Sequence, residues 1–123
     1  MIMKIEAVAQ QYQIPASTIR YYERQGLLGP IERISGIRDF CQVDLDRIDF
    51  ILCVKECGMT IKQMRDFIEM YQEGDSTIDE RLKILQNQLL ASQKKQAQLA
   101  ESIDHLKEKI GDVKVLKEQV EVH

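Results

Sequence analysis

Residues 15–28 read Pro15-Ala16-Ser17-Thr18-Ile19-Arg20-Tyr21-Tyr22-Glu23-Arg24-Gln25-Gly26-Leu27-Leu28, a short helix from about Ala16 to Gln25 set between a breaker and a stop. Pro15 has no backbone N–H and biases Ile14 away from helical geometry. Gly26 stands in the usual position just past a helix C-terminus. On such a helix Ile19 and Tyr22 face one side and leave Thr18, Tyr21 and Arg24 for another. Upstream, Lys4 to Tyr12 places Ile5, Val8 and Ala9 at helical spacing, which predicts a first amphipathic helix. Two short helices joined through Gln13-Ile14-Pro15 form the pattern of a helix-turn-helix.

Downstream, Leu27 to Phe40 contains Gly29, Pro30 and Gly36 with Ile31, Ile34 and Ile37 between them, the composition of a small β-hairpin, or wing. Val43 to Cys57 is helical again, with Leu45, Ile48, Ile51 and Leu52 on one broad face and Phe50 beside them; Gly58 ends it. Thr60 is placed to cap a fourth helix that runs to about Gln72, with Ile61, Met64, Phe67, Ile68 and Tyr71 periodic. Glu73-Gly74-Asp75-Ser76 reads as a turn. The last segment is the most regular. Ile78, Leu82, Leu85, Leu89, Ser92, Gln96, Leu99, Ile103, Leu106, Ile110 and Val113 keep an unbroken 4-3 spacing, a coiled-coil seam of about five heptads. A lone helix of this kind leaves its stripe in water, so self-association is expected, with Ile78, Leu82, Leu85, Leu89, Leu99, Ile103, Leu106 and Ile110 at the dimer interface. Ser92 and Gln96 interrupt the seam near its centre and are expected to set register. Gly111 is expected to weaken the helix and let the tail fray.

The predicted class is thus mainly α, with a winged helix-turn-helix head over residues 1–75 and a dimerisation helix over 76–123. Hydrophobic residues at 44% and charged residues at 30% exclude a wholly disordered chain. No apolar run approaches a membrane span, and the N-terminus lacks the layout of a signal peptide, so a cytoplasmic location is expected. The net charge of −3 is unevenly distributed. Residues 1–40 hold five positive and four negative side chains, residues 41–75 four and eight, and residues 76–123 eight of each. Four of the first five positives are arginines, the side chain that best forks onto phosphate or guanine. Three cysteines, Cys41, Cys53 and Cys57, are an odd number without an export signal, which predicts reduced thiols. No nucleophile–base pair, phosphate-cradling glycine loop or convergent carboxylate site is visible, so no enzymatic activity is expected.

The stretch Ile19-Arg20-Tyr21-Tyr22-Glu23-Arg24 followed by Gly26-Leu27-Leu28 resembles the recognition helix of the MerR family of transcription regulators. Gly36-Ile37-Arg38-Asp39-Phe40 resembles that family's wing, and Cys57-Gly58-Met59-Thr60-Ile61 its turn between the third and fourth helices. The likeness covers about residues 4–75, and the long helix sits where the family keeps its dimerisation helix. Three positions depart from the family pattern. Pro15 stands where serine usually caps the recognition helix, so Ser17 or Thr18 is expected to cap it. Gln13 stands where glycine is frequent. Phe40 replaces the usual tyrosine and cannot hydrogen-bond a phosphate.

The resemblance implies a homodimer joined by an antiparallel coiled coil, bound to a pseudo-palindromic element of double-stranded promoter DNA. It also implies an effector that lets the dimer distort the promoter spacer, so that RNA polymerase meets realigned hexamers, a form of indirect readout. On this reading Ser17 and Arg20 contact base edges, and Thr18, Tyr21 and Arg24 contact backbone oxygens or sugar. Arg38 reaches the flanking backbone or minor groove, and Lys4 or Lys62 adds phosphate contacts. No cofactor is expected. Cysteines for a metal loop after the long helix are missing, His105 and His123 lie too far along to join one site, and an iron–sulfur sensor needs more thiols. Cys53, in Phe50-Ile51-Leu52-Cys53-Val54-Lys55, resembles the sensor cysteine of the aldehyde- or electrophile-responsive branch (the AdhR and NmlR type). Against this stands the ordinary fate of a cysteine, burial as a small inert hydrophobe; Cys41 is expected to be structural. A metal- or small-ligand-responsive regulator, with Cys53 and Cys57 as a two-thiol site, stays open. So does a coiled-coil scaffold that binds protein instead of DNA.

Overall fold

A computed structural model describes residues 2–122, so His123 lies outside the described residues. The element order is α1 (Ile5–Tyr12), α2 (Ala16–Arg24), β1 (Arg33–Ile34), β2 (Ile37–Arg38), α3 (Gln42–Glu56), α4 (Ile61–Glu73), a 3-10 turn (Asp75–Thr77) and α5 (Ile78–Val122). The chain divides into two compact units between Gln86 and Asn87. None of the helices among the described residues is long and apolar enough to cross a membrane.

The first unit is built around one apolar core. Val8, Ile19, Leu27, Leu28, Ile48 and Ile51 are fully buried, with Tyr22 and Met64 next to them, so α1 to α4 each contribute the face that their periodicity predicts. The turn between α1 and α2 explains how the chain does without the family's glycine. Gln13 adopts φ 55 and ψ 42, the left-handed cap conformation, which a residue with a Cβ takes at some cost. Ile14 N–H then donates to the Ala9 carbonyl at 3.1 Å. The capping expectation for α2 is not met. Pro15 itself is the cap residue and no side chain caps the helix. Ser17 and Thr18 stand inside the first turn, past the position from which a side-chain oxygen can reach back to the free N–H groups. Thr18 instead donates its backbone N–H to the Pro15 carbonyl at 3.0 Å.

The wing is a two-residue hairpin, with Arg33 opposite Arg38 and Ile34 opposite Ile37. Ser35 and Gly36 turn it at φ 52 and φ 79, the paired positive angles whose twist matches the flanking strands. α3 begins one residue before the expected Val43 because Asp44 reaches back, accepting from the Cys41 N–H at 2.9 Å and the Cys41 thiol at 3.3 Å. Cys41 is thus the cap residue of α3, with its side chain exposed. Thr60 caps α4 as expected: its hydroxyl accepts from Gln63 N–H at 3.1 Å, and its own N–H donates to Gln63 Oε1 at 2.9 Å. Tyr71, expected on the buried stripe of α4, is 60% exposed at the helix end.

Two ties join α4 to the start of α5. The Thr77 hydroxyl lies 2.6 Å from the Met70 carbonyl and 2.8 Å from that of Gly74, and it accepts from Arg81 Nε at 3.1 Å. In the second unit α5 continues without a break through Gly111 to Val122, contrary to the fraying expected there. One glycine costs a helix only about 1 kcal/mol relative to alanine, too little to end a run of good helix formers. Along α5 every apolar seam residue from Ile78 to Val113 is exposed.

Candidate DNA-binding face

α2 divides its residues between inside and outside. Ile19 and Tyr22 are in the core, while Ser17, Arg20, Tyr21 and Arg24 are exposed and Thr18 is half-buried. The exposed side therefore carries a hydroxyl, two guanidiniums and a phenol in about two turns of helix. Arg24 places its guanidinium 6.0 Å from the Tyr21 ring centre, which holds the ring and the charge as a pair. Tyr22, judged from sequence to be core, is core; its hydroxyl is buried and has no partner among the described residues.

The far end of α2 is clamped by α4. Arg65 Nε donates to the Gln25 carbonyl at 2.8 Å, and Arg65 Nη2 to Gln25 Oε1 at 3.4 Å. The wing is clamped too. Arg38 donates to Glu23 through Nε at 3.1 Å and Nη2 at 2.9 Å. Arg38 therefore meets a carboxylate on the same face, and part of its donor set is committed to holding the wing against α2.

Two open concavities flank the exposed side of α2. One, of about 340 Å³, is lined by Lys4, Arg20, Arg33 and Arg38 with Glu6 among them. It brings the start of α1, the middle of α2 and both wing strands to one cationic depression. The other, of about 570 Å³, is lined by Ser17, Thr18, Tyr21 and Tyr22 with Lys55, Thr60 and Ile61. Sequence reasoning missed Arg33 and Lys55. Arg33 follows from hairpin register, since it sits opposite Arg38. Lys55 holds its ammonium 5.9 Å from the Tyr22 ring centre, a pairing across two helices that spacing along one helix cannot reveal. Lys62 stands exposed in the first turn of α4, outside both sets of lining residues.

Cys53 and Cys57 on α3 are both exposed, so the burial that would make Cys53 an inert hydrophobe does not occur in the single chain. Cys57 donates its thiol to the Cys53 carbonyl at 3.6 Å. Asp49, on the same stripe, faces Tyr12 instead. Burial pushes the Tyr12 phenol above its ordinary 10.0, and the charge of Asp49 and a hydrogen bond to it push it the same way. Among the described residues no three His, Cys, Asp and Glu side chains converge as metal ligands.

Comparison with known proteins agrees with this geometry. The MerR HTH family regulatory protein family matches residues 3–71, and the MerR DNA-binding family residues 45–119. The chain is 42% identical to the HTH-type transcriptional regulator AdhR of Bacillus subtilis over 84 residues, 68% of this chain and 60% of that protein. The chain thus spans less than two thirds of that relative's length. It is 35% identical to an HTH-type transcriptional regulator of Haemophilus influenzae over 104 residues, 84% of this chain and 77% of that one. Among solved structures it is similar to HiNmlR, a MerR family regulator lacking the sensor domain, bound to promoter DNA. That likeness has a TM-score of 0.80 and 33% identity, and covers 90% of this chain and 89% of that one. A MerR family regulator from Bacillus thuringiensis gives the same TM-score at 34% identity, with 91% and 99% covered. The chain, with a short second helix, a wing and a long C-terminal helix in the family's order, belongs to the MerR family of DNA-binding transcriptional regulators.

Proposed function

We propose that this regulator works in the cytoplasm as a homodimer joined by antiparallel α5 helices. It binds a pseudo-palindromic promoter element and realigns it for RNA polymerase when Cys53 reacts with an aldehyde or a related electrophile. The head of residues 1–75 is the DNA-binding part and residues 76–123 the dimerisation part. The observation that carries the DNA reading is the split of α2, with Ile19 and Tyr22 anchored in the core and Ser17, Arg20, Tyr21 and Arg24 outside. Ser17 and Arg20 reach base edges; Thr18, Tyr21 and Arg24 grip backbone on either side; Lys4 and Lys62 add phosphate contacts at the periphery. Arg38 keeps its tie to Glu23 and offers its remaining N–H groups to the flanking backbone. For the effector, support comes from an exposed Cys53 thiol and from the similarity to AdhR. A thiolate is the nucleophile in such an addition, so access to solvent is a precondition.

The test is a reporter driven by the chain's own promoter element, read with and without aldehyde, for the wild type and Cys53→Ser. Induction that disappears in Cys53→Ser, with operator affinity unchanged, supports the sensor role. Induction that survives the substitution rules it out.

A further inference from the structure

Cys53 and Cys57 stand one turn apart at the end of α3, both exposed and neither in a disulfide. Residues at this spacing lie one above the other on one face of a helix, and each Cβ tilts toward the N-terminus, so Cys57 leans over Cys53. The thiol contact agrees: Cys57 donates to the Cys53 carbonyl at 3.6 Å. The side chains between them go elsewhere. Val54 is buried, and Lys55 lines the concavity that holds Ser17 and Tyr21.

The turn that follows fixes this spacing. Gly58 takes φ 90. Its N–H donates to the Lys55 carbonyl at 3.0 Å, and the Met59 N–H to the Val54 carbonyl at 3.2 Å. These are the paired bonds with which a glycine closes a helix. Val54 and Met59, the two ends of the longer loop, are only 7% and 5% exposed. Cys57 therefore keeps helical angles, φ −78 and ψ −4, and the chain beyond it is pinned to the core.

A closed helical turn holds Cβ atoms four residues apart at about 5–6 Å. A disulfide needs about 3.5–4.5 Å, so direct oxidation requires the turn to open. A single atom bonded to both sulfurs spans the wider gap without that cost. Among the described residues no three His, Cys, Asp and Glu side chains converge, so an ion that asks the protein for three or four ligands finds only two. Both sulfurs leave the same face of one helix and meet a common atom at a bent angle, which a linear two-coordinate ion does not take. The fit is to a soft, bent centre that brings its own third substituent. Residues 41–75 hold eight negative side chains against four positive, which favours a neutral ligand over an anion.

We propose that Cys53 and Cys57 form a two-thiol clamp for a trivalent arsenical bearing one organic substituent. Such a compound in water is a neutral dihydroxide. Each sulfur forms a bond to arsenic as one arsenic–oxygen bond breaks; the two thiol protons leave with the two hydroxides as water, and arsenic stays trivalent. The second bond closes within one molecule, at the high effective concentration of a tethered neighbour, so the chelate outlasts a single arsenic–sulfur bond. The clamp shares Cys53 with the aldehyde response proposed above but does not rest on it, since addition to an aldehyde uses one thiol.

The test uses the reduced full chain with phenylarsine oxide as the probe, read by intact mass in the presence of excess glutathione. The expected result is one arsenical per chain, held against glutathione and stripped by 2,3-dimercaptopropanol. Cys41→Ser should bind as the wild type does, while Cys53→Ser and Cys57→Ser should each bind about 100-fold more weakly. Asp49→Cys added to Cys57→Ser restores a pair at the same spacing and should recover capture, which separates loss of the clamp from damage to the fold. Capture by Cys57→Ser equal to wild type, a rescue that fails, or no glutathione-resistant adduct overturns the proposal. Aldehyde induction absent from the wild type removes the aldehyde reading and leaves the clamp standing; induction without arsenical capture removes only the clamp.

Discussion

Arg38 of the wing and Glu23 of α2 lock together through two guanidinium nitrogens, with Nη2 2.9 Å from Oε1 and each side chain only 22% exposed. The pair joins elements that are otherwise linked by a loop of glycine and proline. It fixes where the cations of the wing stand relative to α2, and it neutralises one acidic group on the candidate DNA-binding face. A forked, charge-assisted contact of this kind is stronger than an ordinary surface ion pair. A double-mutant cycle on Glu23→Gln and Arg38→Gln should give a coupling of about 1 kcal/mol in denaturant unfolding. A cycle whose two single effects simply add would show that the clasp is incidental.

Arg20 and Arg33 should separate specificity from general affinity. Arg20 projects from the exposed side of α2, whereas Arg33 comes to the same cationic depression from the wing. Arg20→Ala is expected to cost about 1–3 kcal/mol on the operator, with a smaller loss on unrelated DNA. Arg33→Ala should weaken both alike and lower the salt slope by about one. Fluorescence anisotropy across a salt series checks both. Equal loss on specific and unrelated DNA for Arg20→Ala would move that residue from bases to backbone.

Gly29 is a position that disfavours a side chain. It has φ 71, and a Cβ there would stand 2.6 Å from Arg47 Nη1. Arg47 moves only at the expense of a tie, because that nitrogen donates to the Leu28 carbonyl, and its Nε is already buried without a partner among the described residues. Gly29→Ala should destabilise the head by about 1–3 kcal/mol through backbone strain and loss of this tie. A melting temperature equal to that of the wild type would contradict the geometry.

Tyr12 gives a pH signature. Its phenol is raised above 10.0, first by burial and then by Asp49, so the folded state holds the proton more tightly than the unfolded chain. Its contribution to stability is complete below pH 10 and is lost as pH rises through the folded value. Tyr12→Phe should therefore flatten the decline of stability above pH 10 relative to wild type. Parallel curves for the two proteins would count against the assignment.

Much of this was legible in the sequence because it is local. The period of α2 separates Ile19 and Tyr22 from Thr18, Tyr21 and Arg24, and Thr60 with Gln63 announces the start of α4. What was not legible is set by contacts between elements. Glu23 and Arg38 are fifteen residues apart, and nothing in either neighbourhood names the other. Arg33 and Lys55 join the site only because the hairpin and α3 fold back onto α2. The capping role given to Ser17 or Thr18 failed because a proline at the cap position leaves its own carbonyl as the first acceptor. Exposure of Cys53 depends on what covers α3, and its own helix cannot decide that.

The ties that hold α3, α4 and the start of α5 in place share a trait with consequences for how this sequence can change. Arg65 donates to the carbonyl of Gln25, Arg47 to that of Leu28, Arg81 to that of Gly74, and Thr77 to those of Met70 and Gly74. In each, the acceptor belongs to the backbone, which every amino acid supplies. Substitutions at the receiving positions therefore leave the acceptors in place, and the ties can be broken by side-chain replacement only from the donor side. Mutational fragility in these joints is concentrated in Arg47, Arg65, Thr77 and Arg81, none of which lies on α2, so these joints leave its exposed residues Ser17, Arg20, Tyr21 and Arg24 unconstrained.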